Sequence, residues 1–316
     1  MSANVTVVGA GISGLTCAVL LQEHGHAVTV VTADEPAGTV SRLAAAVWYP
    51  TRTAADPRVL SWARRTYDEL TAQAAAGVPG VVPRPTRMIL RGTHGTPWWA
   101  AAVPDFAEGR DEWRFTVPSV EMEVYLPWLL DRFGTAGGRL VRHRLARLAD
   151  APEAAGGADV VVNASGLAAR DLADDPAVHP ARGQVVGVAN PGLVTSVRDE
   201  DHPAGMTYIH PRSRDVVLGG TFQPGDWDTT VDPATTAAIL SRCAELVPEL
   251  AGAPVLWQSA GLRPARHGGA RVELDPVALP GGARVVHDYG HGGAGVTLAW
   301  GCAEEVLTLT GGAAGA

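Results

Sequence analysis

The residues best suited to chemistry lie near the two ends of the chain. Gly9, Gly11 and Gly14 have the spacing G-x-G-x-x-G, and the stretch HDYGHGGAGVTLAWG at 287–301 carries five more glycines. Ordered glycine is entropically costly, so such runs indicate that something lies close to the backbone. In the first run, the glycines allow a tight turn, the approach of a pyrophosphate, and close packing of helix on strand. Asp34, 20 residues after Gly14, is spaced to accept hydrogen bonds from ribose hydroxyls.

The elements around this first run predict a strand–helix–strand unit. A valine-rich strand precedes Gly9, helical apolar spacing follows from Ile12, and HAVTVVTAD makes a second strand. A dinucleotide would then rest its phosphates on the helix N-terminus. The alternative is an ordinary glycine-rich turn. Asp34 fits NAD or FAD better than NADP, because a carboxylate would repel a 2′-phosphate.

Composition narrows the possible chemistry. The 316-residue chain has no lysine, and its 25 basic residues are all arginine. This excludes a Schiff-base lysine and a phosphate-loop lysine, whereas arginine suits the two-pronged binding of carboxylates. The net charge of −8 argues against a nucleic-acid partner, and no apolar run is long enough to span a membrane. The start lacks signal-peptide features, and three widely spaced cysteines indicate neither disulfides nor a zinc site, so we expect a cytoplasmic protein.

After Pro50 the simple alternation of strand and helix lapses. The pattern predicts helices at 58–76 and 120–133, and a buried strand at 158–166 that resumes the first sheet. Short β-rich segments follow, before a last strand and the final helix. We therefore expect a dinucleotide domain assembled from separated segments, with a β-rich domain threaded between them.

Seven segments together resemble the D-amino-acid oxidase family of FAD-dependent flavoenzymes. They are VVGAGISGLT (7–16), LAAAVWYP (43–50), ADVVVNASG (158–166), RGQ (182–184), TYIHPR (207–212), GLRPAR (261–266) and VVHDYGHGGAGVTLAWGCA (285–303). The resemblance implies an α/β fold with a Rossmann-like FAD-binding domain and a β-rich, α+β substrate-binding domain. The expected FAD-binding segments are 1–50, 140–182 and 255–316, and the expected substrate-binding segments are 51–139 and 183–254.

The resemblance also implies which residues hold a noncovalent FAD. They are Gly9, Gly11, Ile12, Ser13, Gly14, Asp34, Ser41, Ala45, Ala46, Val47, Ser165, Gly292, Gly293, Ala294, Gly295, Val296 and Thr297. The C-terminal glycine loop would then run along the pyrimidine edge of the flavin, with bare backbone amides near its oxygens. The positive end of the last helix would stabilise the anionic reduced flavin. The alternative is that these glycines only cap a helix.

Three residues are expected at the substrate by the same resemblance. Arg263 would hold the α-carboxylate with two parallel bonds, the Tyr208 hydroxyl would reach the same group, and the Gly293 carbonyl would accept a bond from the amine. The reaction implied is hydride transfer from a neutral D-amino acid to flavin N5, with oxygen reduced to hydrogen peroxide. The alternatives are a surface or ion-paired Arg263 and a Tyr208 that only packs on the sheet.

Departures from the family leave the substrate open. Ala204 stands where vertebrate members carry a second tyrosine on a longer lid, and Tyr49 and Thr51 also replace other residue types beside the flavin. Arg52 or Arg212 could serve an acidic side chain, so a D-aspartate oxidase is an alternative, as is a glycine or sarcosine oxidase. Two alternatives come from other functional classes: a nicotinamide-dependent dehydrogenase and a noncatalytic dinucleotide-binding sensor.

Two further expectations concern histidines and the setting of the protein. His287 and His291 span a strand and a loop in an H-x-x-x-H pattern, so we expect structural roles and no metal site. The chain lacks a peroxisomal Ser-Lys-Leu address, which favours a bacterial cytoplasmic protein. The expected partners are a D-amino acid and molecular oxygen, with a homodimer as the assembly to test.

Overall fold

The fold combines two β-sheets with helices packed mainly on one of them. The computed structural model describes residues 2–50, 52–53, 55–92 and 94–311, so Thr51 lies outside the described residues. The strands are β1 Asn4–Val8, β2 Ala27–Thr32, β3 Val81–Ile89, β4 Ala107–Glu108, β5 Glu112–Val120, β6 Arg139–Arg142, β7 Val160–Asn163, β8 Val178–Val188, β9 Ser196–Asp199, β10 Thr207–Pro211, β11 Val216–Gly219, β12 Gln223–Pro224, β13 Val255–Arg266, β14 Arg271–Leu274 and β15 Arg284–Tyr289. The helices are α1 Ile12–Glu23, α2 Pro57–Ala75, α3 Met122–Thr135, α4 Ala151–Ala155, α5 Ala169–Leu172, α6 Pro233–Leu246 and α7 Gly295–Gly311.

A six-stranded sheet with the order β14-β15-β7-β1-β2-β6 forms the first layer. Its strands are parallel except for β14, which runs antiparallel to β15. β1, β7 and β15 are short valine-rich runs that are almost wholly buried, as expected for parallel strands covered on both faces. The carboxyl ends of β1, β2, β7 and β15 therefore meet at one edge of the sheet.

Four helices pack together beside this sheet and share one hydrophobic core with it. α7 packs along both α1 and α2, and α3 packs on α1. α2 begins at Pro57 after Asp56, whose side chain accepts the amide of Arg58 at 2.7 Å. Gly301 lies where α7 meets α2, and a side chain there would collide with the backbone of Trp62. Among the helices in the described ranges, none combines the length and apolar character needed to cross a bilayer.

A nine-stranded sheet forms the second part of the molecule. Its order is β12-β8-β11-β10-β9-β3-β5-β4, with β13 paired along the length of β8. All its pairs are antiparallel except β3 with β9. α6 starts at Asp232, whose carboxylate accepts two amides of the first turn, and it packs its apolar side on this sheet.

These observations confirm the α/β class and the parallel Rossmann-like sheet. They also place three segments differently from the expected division into domains. β13, expected in the cofactor part, lies in the nine-stranded sheet, because Val255–Arg266 pairs with β8. α2 and α3, expected in the substrate part, pack on the helices of the six-stranded sheet. The domain division itself stays a prediction.

Candidate active site

A cavity of about 910 Å³ opens between the carboxyl edge of the six-stranded sheet and the face of the nine-stranded sheet. Every site residue predicted from the sequence lines it except Gly14 and Ala294. Parallel sheets place ligands at this edge, because the loops that follow their strands meet there. The volume lies within the range of ligand-binding cavities. Residues that are far apart in sequence thus meet around one space.

The glycine fingerprint has the geometry that a bound pyrophosphate requires. Gly9 has a φ of +113°, and a side chain there would collide with the carbonyl of Ala164. A side chain at Gly14 would collide with the carbonyl of Gly9, so Gly14 serves helix–strand packing although it does not line the cavity. The first-turn amides of α1 have no intrahelical acceptors. The amide of Ile12 donates to Ser41 Oγ at 3.0 Å, so the other amides of the first turn are the ones that an anion would use.

Two other predicted cofactor residues occupy the ends of β2 and β7. The Asp34 carboxylate lies at the cavity with 57% of its side chain exposed, 3.5 Å from an Arg144 nitrogen. The Ser165 hydroxyl donates to Asn163 Oδ1 at 2.6 Å. Both side chains lie at the carboxyl edge of the sheet, and both line the cavity.

His287 is part of the structural support behind Ser165. Its Nε2 lies 2.8 Å from Asp275 Oδ2, and its Nδ1 lies 3.4 Å from Nδ2 of the Asn163 side-chain amide. Burial lowers the pKa of His287, and the Asp275 carboxylate offsets part of that effect. His287 does not line the cavity, which supports the structural role expected for it.

The C-terminal glycine loop borders the cavity between β15 and α7. Gly292 adopts a φ of +56°, in a 3₁₀ turn that leads directly into α7 at Gly295. An isolated bridge pairs His291 with Ala265 of β13, so this loop and β13 lie side by side. Not all five glycines serve this loop. Gly301 does not line the cavity; it is needed where α7 packs on the Trp62 backbone of α2.

Two predicted cofactor segments are tied to each other by one hydroxyl. Thr297 Oγ1 accepts the amide of Tyr49 at 3.0 Å and donates to the Tyr49 carbonyl at 3.0 Å. This pair of bonds holds the segment of Ala45, Ala46 and Val47 against the start of α7. Ala294, which does not line the cavity, is fully buried in the core beneath the loop.

Arg263 projects from β13 into the cavity. Its Nη1 donates to the Thr221 carbonyl at 3.0 Å, and no Asp or Glu of the described chain lies within 4.0 Å. A side chain at Gly183, on the adjacent strand β8, would collide with the guanidinium. Gly183 thus supplies the space in which Arg263 lies. The remaining donors of this guanidinium are available to a carboxylate ligand.

Tyr208 lines the same cavity from β10. It pairs with Gly219 across the β10–β11 ladder, and a side chain at Gly219 would collide with the ring. The ring stacks on His210 with centroids 5.0 Å apart. Tyr208 and Arg263 each lie over a glycine of a neighbouring strand, which lets both side chains lie close to the sheet.

Arg198 and Tyr49 complete a polar wall of the cavity. The resemblance placed Tyr49 beside the flavin, but no sequence signal pointed to Arg198. Arg198 is 6% exposed, and its guanidinium carbon lies 4.1 Å from the Tyr49 ring centroid. Its Nη2 donates to Glu200 at 2.9 Å. Burial raises the pKa of Tyr49, whose hydroxyl donates to Glu200 at 3.3 Å. Arg198 pairs with Tyr208 between β9 and β10, so only knowledge of the strand register could have identified it.

A buried carboxylate lies beneath the glycine loop. Asp288 is fully buried, and its Oδ1 lies 3.2 Å from His291 Nε2. The Cys17 thiol donates to its Oδ2 at 3.2 Å, and burial together with this carboxylate raises the pKa of Cys17. Cys302 Sγ lies within 4.8 Å of the Asp288 and His291 ligand atoms. Since a thiol and an imidazole already accompany Asp288, we assign this set a structural role at the base of the loop.

Comparison with known proteins was made on the whole chain. The model of the FAD dependent oxidoreductase family matches residues 4–309. A D-amino-acid oxidase from Rubrobacter xylanophilus is 50% identical, over 98% of this chain and 97% of that protein. A D-amino-acid oxidase from Streptomyces coelicolor is 42% identical, over 96% of each chain. The solved structure of glycine oxidase from Geobacillus kaustophilus matches with a TM-score of 0.79 at 21% identity, covering 98% of this chain and 94% of that one, and shows the fold alone.

Proposed function

Because this chain belongs to the FAD-dependent oxidoreductase family, we propose that it is a D-amino-acid oxidase. The reaction converts a D-amino acid, oxygen and water to a 2-oxo acid, ammonia and hydrogen peroxide. Bound FAD would supply the acceptor for the hydride from the substrate α-carbon and the route by which the electron pair reaches oxygen. The single observation that carries the assignment to this cavity is the position of Arg263. Its guanidinium, without a carboxylate partner, lies on a strand bridged to the glycine loop.

The chain offers FAD one continuous set of contacts along the cavity. The amides at the start of α1 receive the pyrophosphate, and Asp34 receives the ribose hydroxyls. The bare backbone of Gly292, Gly293 and Gly295 lines the cavity beside the N-terminus of α7, where it would hold the flavin and stabilise negative charge on it. We propose noncovalent binding, so acid precipitation should release all the flavin into the supernatant.

At the substrate, three groups fix the position of the amino acid. Arg263 and the Tyr208 hydroxyl bind the α-carboxylate, and the Gly293 carbonyl accepts a hydrogen bond from the amine. The orientation this enforces brings the α-hydrogen toward the flavin, and positioning supplies much of the catalysis. A neutral amine needs no general base, and the mechanism assigns none to this chain.

The side-chain end of the cavity favours neutral substrates in this proposal. Tyr49, Met206 and Phe222 line it with apolar and aromatic surface. The positive charge of the buried Arg198 is offset by Glu200, so this pair adds little net charge to the wall. D-Alanine, D-valine and D-methionine are therefore the first substrates to test.

The decisive experiment follows the flavin spectrum. Purified protein should be yellow, and D-alanine, D-valine or D-methionine should bleach it anaerobically, whereas the L-enantiomers should not. Air should then restore the colour with release of hydrogen peroxide. A colourless protein that binds NADH would support a dehydrogenase instead. A yellow protein that no amine reduces would support a noncatalytic sensor, and either result would refute the proposal.

We also propose a cytoplasmic setting and a homodimer, with no nucleic-acid or membrane partner. The net charge of −8 supports the absence of a nucleic-acid partner. Light scattering coupled to gel filtration tests the assembly, and a monomer at micromolar concentration would contradict it.

A further inference from the structure

Residues 221–232 border the cavity beside Arg263, and we call them the rim segment. The Thr221 carbonyl of this segment accepts a hydrogen bond from Arg263 Nη1 at 3.0 Å. The centroid of the Phe222 ring lies 5.8 Å from the guanidinium carbon of Arg263. Phe222 and Thr229 also line the cavity. The position of the Arg263 guanidinium therefore depends on where the rim segment lies.

Apolar packing does not hold the rim segment in place, because none of its residues is buried. Its regular structure is the short strand β12, which pairs with Arg182 and Ala181 of β8. The carboxylates of Asp226 and Asp228 accept amides two residues further on, so these bonds shape the segment but do not attach it. A segment with few buried apolar contacts depends on its hydrogen bonds to the rest of the fold.

Arg182 attaches the rim segment to β8. Its side chain is 4% exposed, and its guanidinium donates to four oxygens. They are the Asp228 carbonyl at 2.7 Å, Gln223 Oε1 at 2.7 Å, the Thr230 carbonyl at 2.5 Å and Gln184 Oε1 at 3.1 Å. Three of these four acceptors belong to the rim segment. A guanidinium presents its donors in a rigid planar fork, whereas a lysine has three donors on one nitrogen and cannot reproduce this set.

Gln184 supports the same attachment from two residues further along β8. It is fully buried, and its side-chain amide donates to the Asp232 carbonyl at 2.8 Å and accepts the Asp232 amide at 2.9 Å. Its backbone amide donates to Thr221 Oγ1 at 2.9 Å. Both ends of the rim segment are therefore bound to one residue of β8.

Three consecutive residues of β8 thus act on Arg263 from two sides. Side chains alternate between the two faces of a strand. Gly183 leaves room for the Arg263 guanidinium on one face, and Arg182 and Gln184 bind the rim segment from the other. The rim segment in turn presents the Thr221 carbonyl to Arg263.

We propose that Arg182 is a positioning residue of the substrate site. It attaches the rim segment to β8, which fixes the Thr221 carbonyl and, through that carbonyl, the guanidinium of Arg263. This inference rests on the proposed function, in which Arg263 binds the α-carboxylate. Arg182 does not line the cavity, so it does not touch the substrate. Its substitution should weaken carboxylate binding more than it slows hydride transfer.

The first test uses Arg182→Lys, which keeps the charge and loses the planar fork. In the holoenzyme, KM for D-alanine should rise about tenfold, while kcat changes less than about threefold. The Kd for butyrate, read from the change in flavin absorbance without turnover, should rise by a similar factor. Arg284→Lys is the matched control, because Arg284 donates to the Thr310 carbonyl at 2.8 Å and does not line the cavity. It should leave both constants unchanged.

A double-mutant cycle separates positioning from a general structural effect. If Arg182 acts through Arg263, Arg182→Lys should lower kcat/KM for D-alanine less than about twofold further in the Arg263→Ala background. A loss that is as large in this background as in wild type would show that Arg182 acts by another route, and it would overturn the inference.

A digestion follows the rim segment directly. Trp227 is 56% exposed, and chymotrypsin cleaves after aromatic residues. Cleavage after Trp227, followed by mass spectrometry, should be about tenfold faster in Arg182→Lys than in wild type or Arg284→Lys, because the segment opens more often. If Arg182→Lys does not fold, Gln223→Ala at an exposed position removes one acceptor of the same guanidinium. It should change the butyrate Kd and the cleavage rate about threefold in the same direction.

The outcomes separate this inference from the proposed function. If D-amino acids are oxidised but Arg182→Lys has the wild-type KM, butyrate Kd and cleavage rate, the inference is overturned and the oxidase stands. If no D-amino acid reduces the flavin, the proposed function fails. A raised butyrate Kd together with faster cleavage would in that case still support the attachment of the rim segment by Arg182.

Discussion

Arg263 reaches the cavity with a guanidinium whose protein hydrogen-bond partner is a carbonyl, Thr221, rather than a carboxylate. Most of its donors are thus left for a ligand. We expect Arg263→Ala to lower kcat/KM for D-alanine about a hundredfold or more, because two charge-assisted bonds are lost together. Flavin content should stay unchanged, since Arg263 is assigned to the substrate.

Steady-state kinetics and the ratio of flavin to protein absorbance measure both parts of this prediction. Arg147→Ala is the control, because Arg147 pairs with Asp150 at the surface. Activity that survives intact in Arg263→Ala would show that another group binds the carboxylate.

His210 gives a prediction for stability against pH. It is 1% exposed, and burial, together with Arg198 and Arg84, lowers its pKa well below 6.5. Arg198 can only donate, so Nε2 of a neutral ring accepts its bond at 3.3 Å. Below pH 6.5 the unfolded chain takes up a proton that the folded chain does not. Stability should therefore fall with falling pH, by up to about 1.4 kcal/mol per pH unit from this group.

His210→Gln should reduce that slope between pH 6.5 and 5, measured by urea unfolding at each pH. Part of the slope of unfolding free energy against pH should remain in this variant, because the pKa of His287 is also lowered. His267→Gln provides the control, since His267 is exposed. Equal slopes for wild type and His210→Gln would rule out the buried neutral ring.

At the scale of elements, strand β8 makes room for Arg263, because Gly183 has no side chain at that point. A side chain at Gly183 would collide with Arg263, and one at Gly187, on the same strand, would collide with Trp257. Trp257 does not line the cavity. The two glycines thus form a matched pair. Alanine at either position would overpack the same strand, but each would displace a different side chain.

We expect Gly183→Ala to raise KM for D-alanine and to lower kcat/KM about tenfold or more, through displacement of Arg263. Gly187→Ala should keep kcat/KM within about threefold, and each variant should lose about 1–3 kcal/mol of stability. Kinetics and thermal melting on the two proteins test this together. The explanation fails if both variants lose activity equally.

The whole molecule is organised around a cavity that both sheets line. The ends of β1, β2, β7 and β15 border it on one side, and β8, β10 and β13 border it on the other. A ligand that fills this space binds the folded chain alone and stabilises it, by about 2.7 kcal/mol at a hundred times its Kd. Cofactor binding and global stability should therefore be linked.

Removal of FAD should lower the melting temperature by several degrees, and added FAD should restore it. FMN is the matched control, since it lacks the adenylate half that reaches the glycine fingerprint and Asp34, and it should restore less. Scanning fluorimetry of the holoenzyme, the apoprotein, and the apoprotein with added FAD or with added FMN is sufficient. An apoprotein that melts at the holoenzyme temperature would contradict this linkage.

Local signals in the sequence determined much of the fold and of the cofactor site. The order of strand, G-x-G-x-x-G turn, helix and second strand is confirmed, because propensity, burial and turn chemistry all act over a few residues. The resemblance to D-amino-acid oxidases is confirmed by relatives at 50% and 42% identity. The roles of Arg263, Tyr208 and the cofactor residues stay predictions, although the structure brings nearly all of them to one cavity.

Only the tertiary structure decided which distant residues meet. Strand register places Arg198 beside Tyr208, strand pairing moves β13 into the nine-stranded sheet, and helix packing explains Gly301. Arg212, which the sequence offered beside Arg52 for an acidic side chain, instead donates to both carboxylate oxygens of Asp215. Such contacts join residues far apart in the chain, and their free energy depends on the whole packed arrangement rather than on any local pattern.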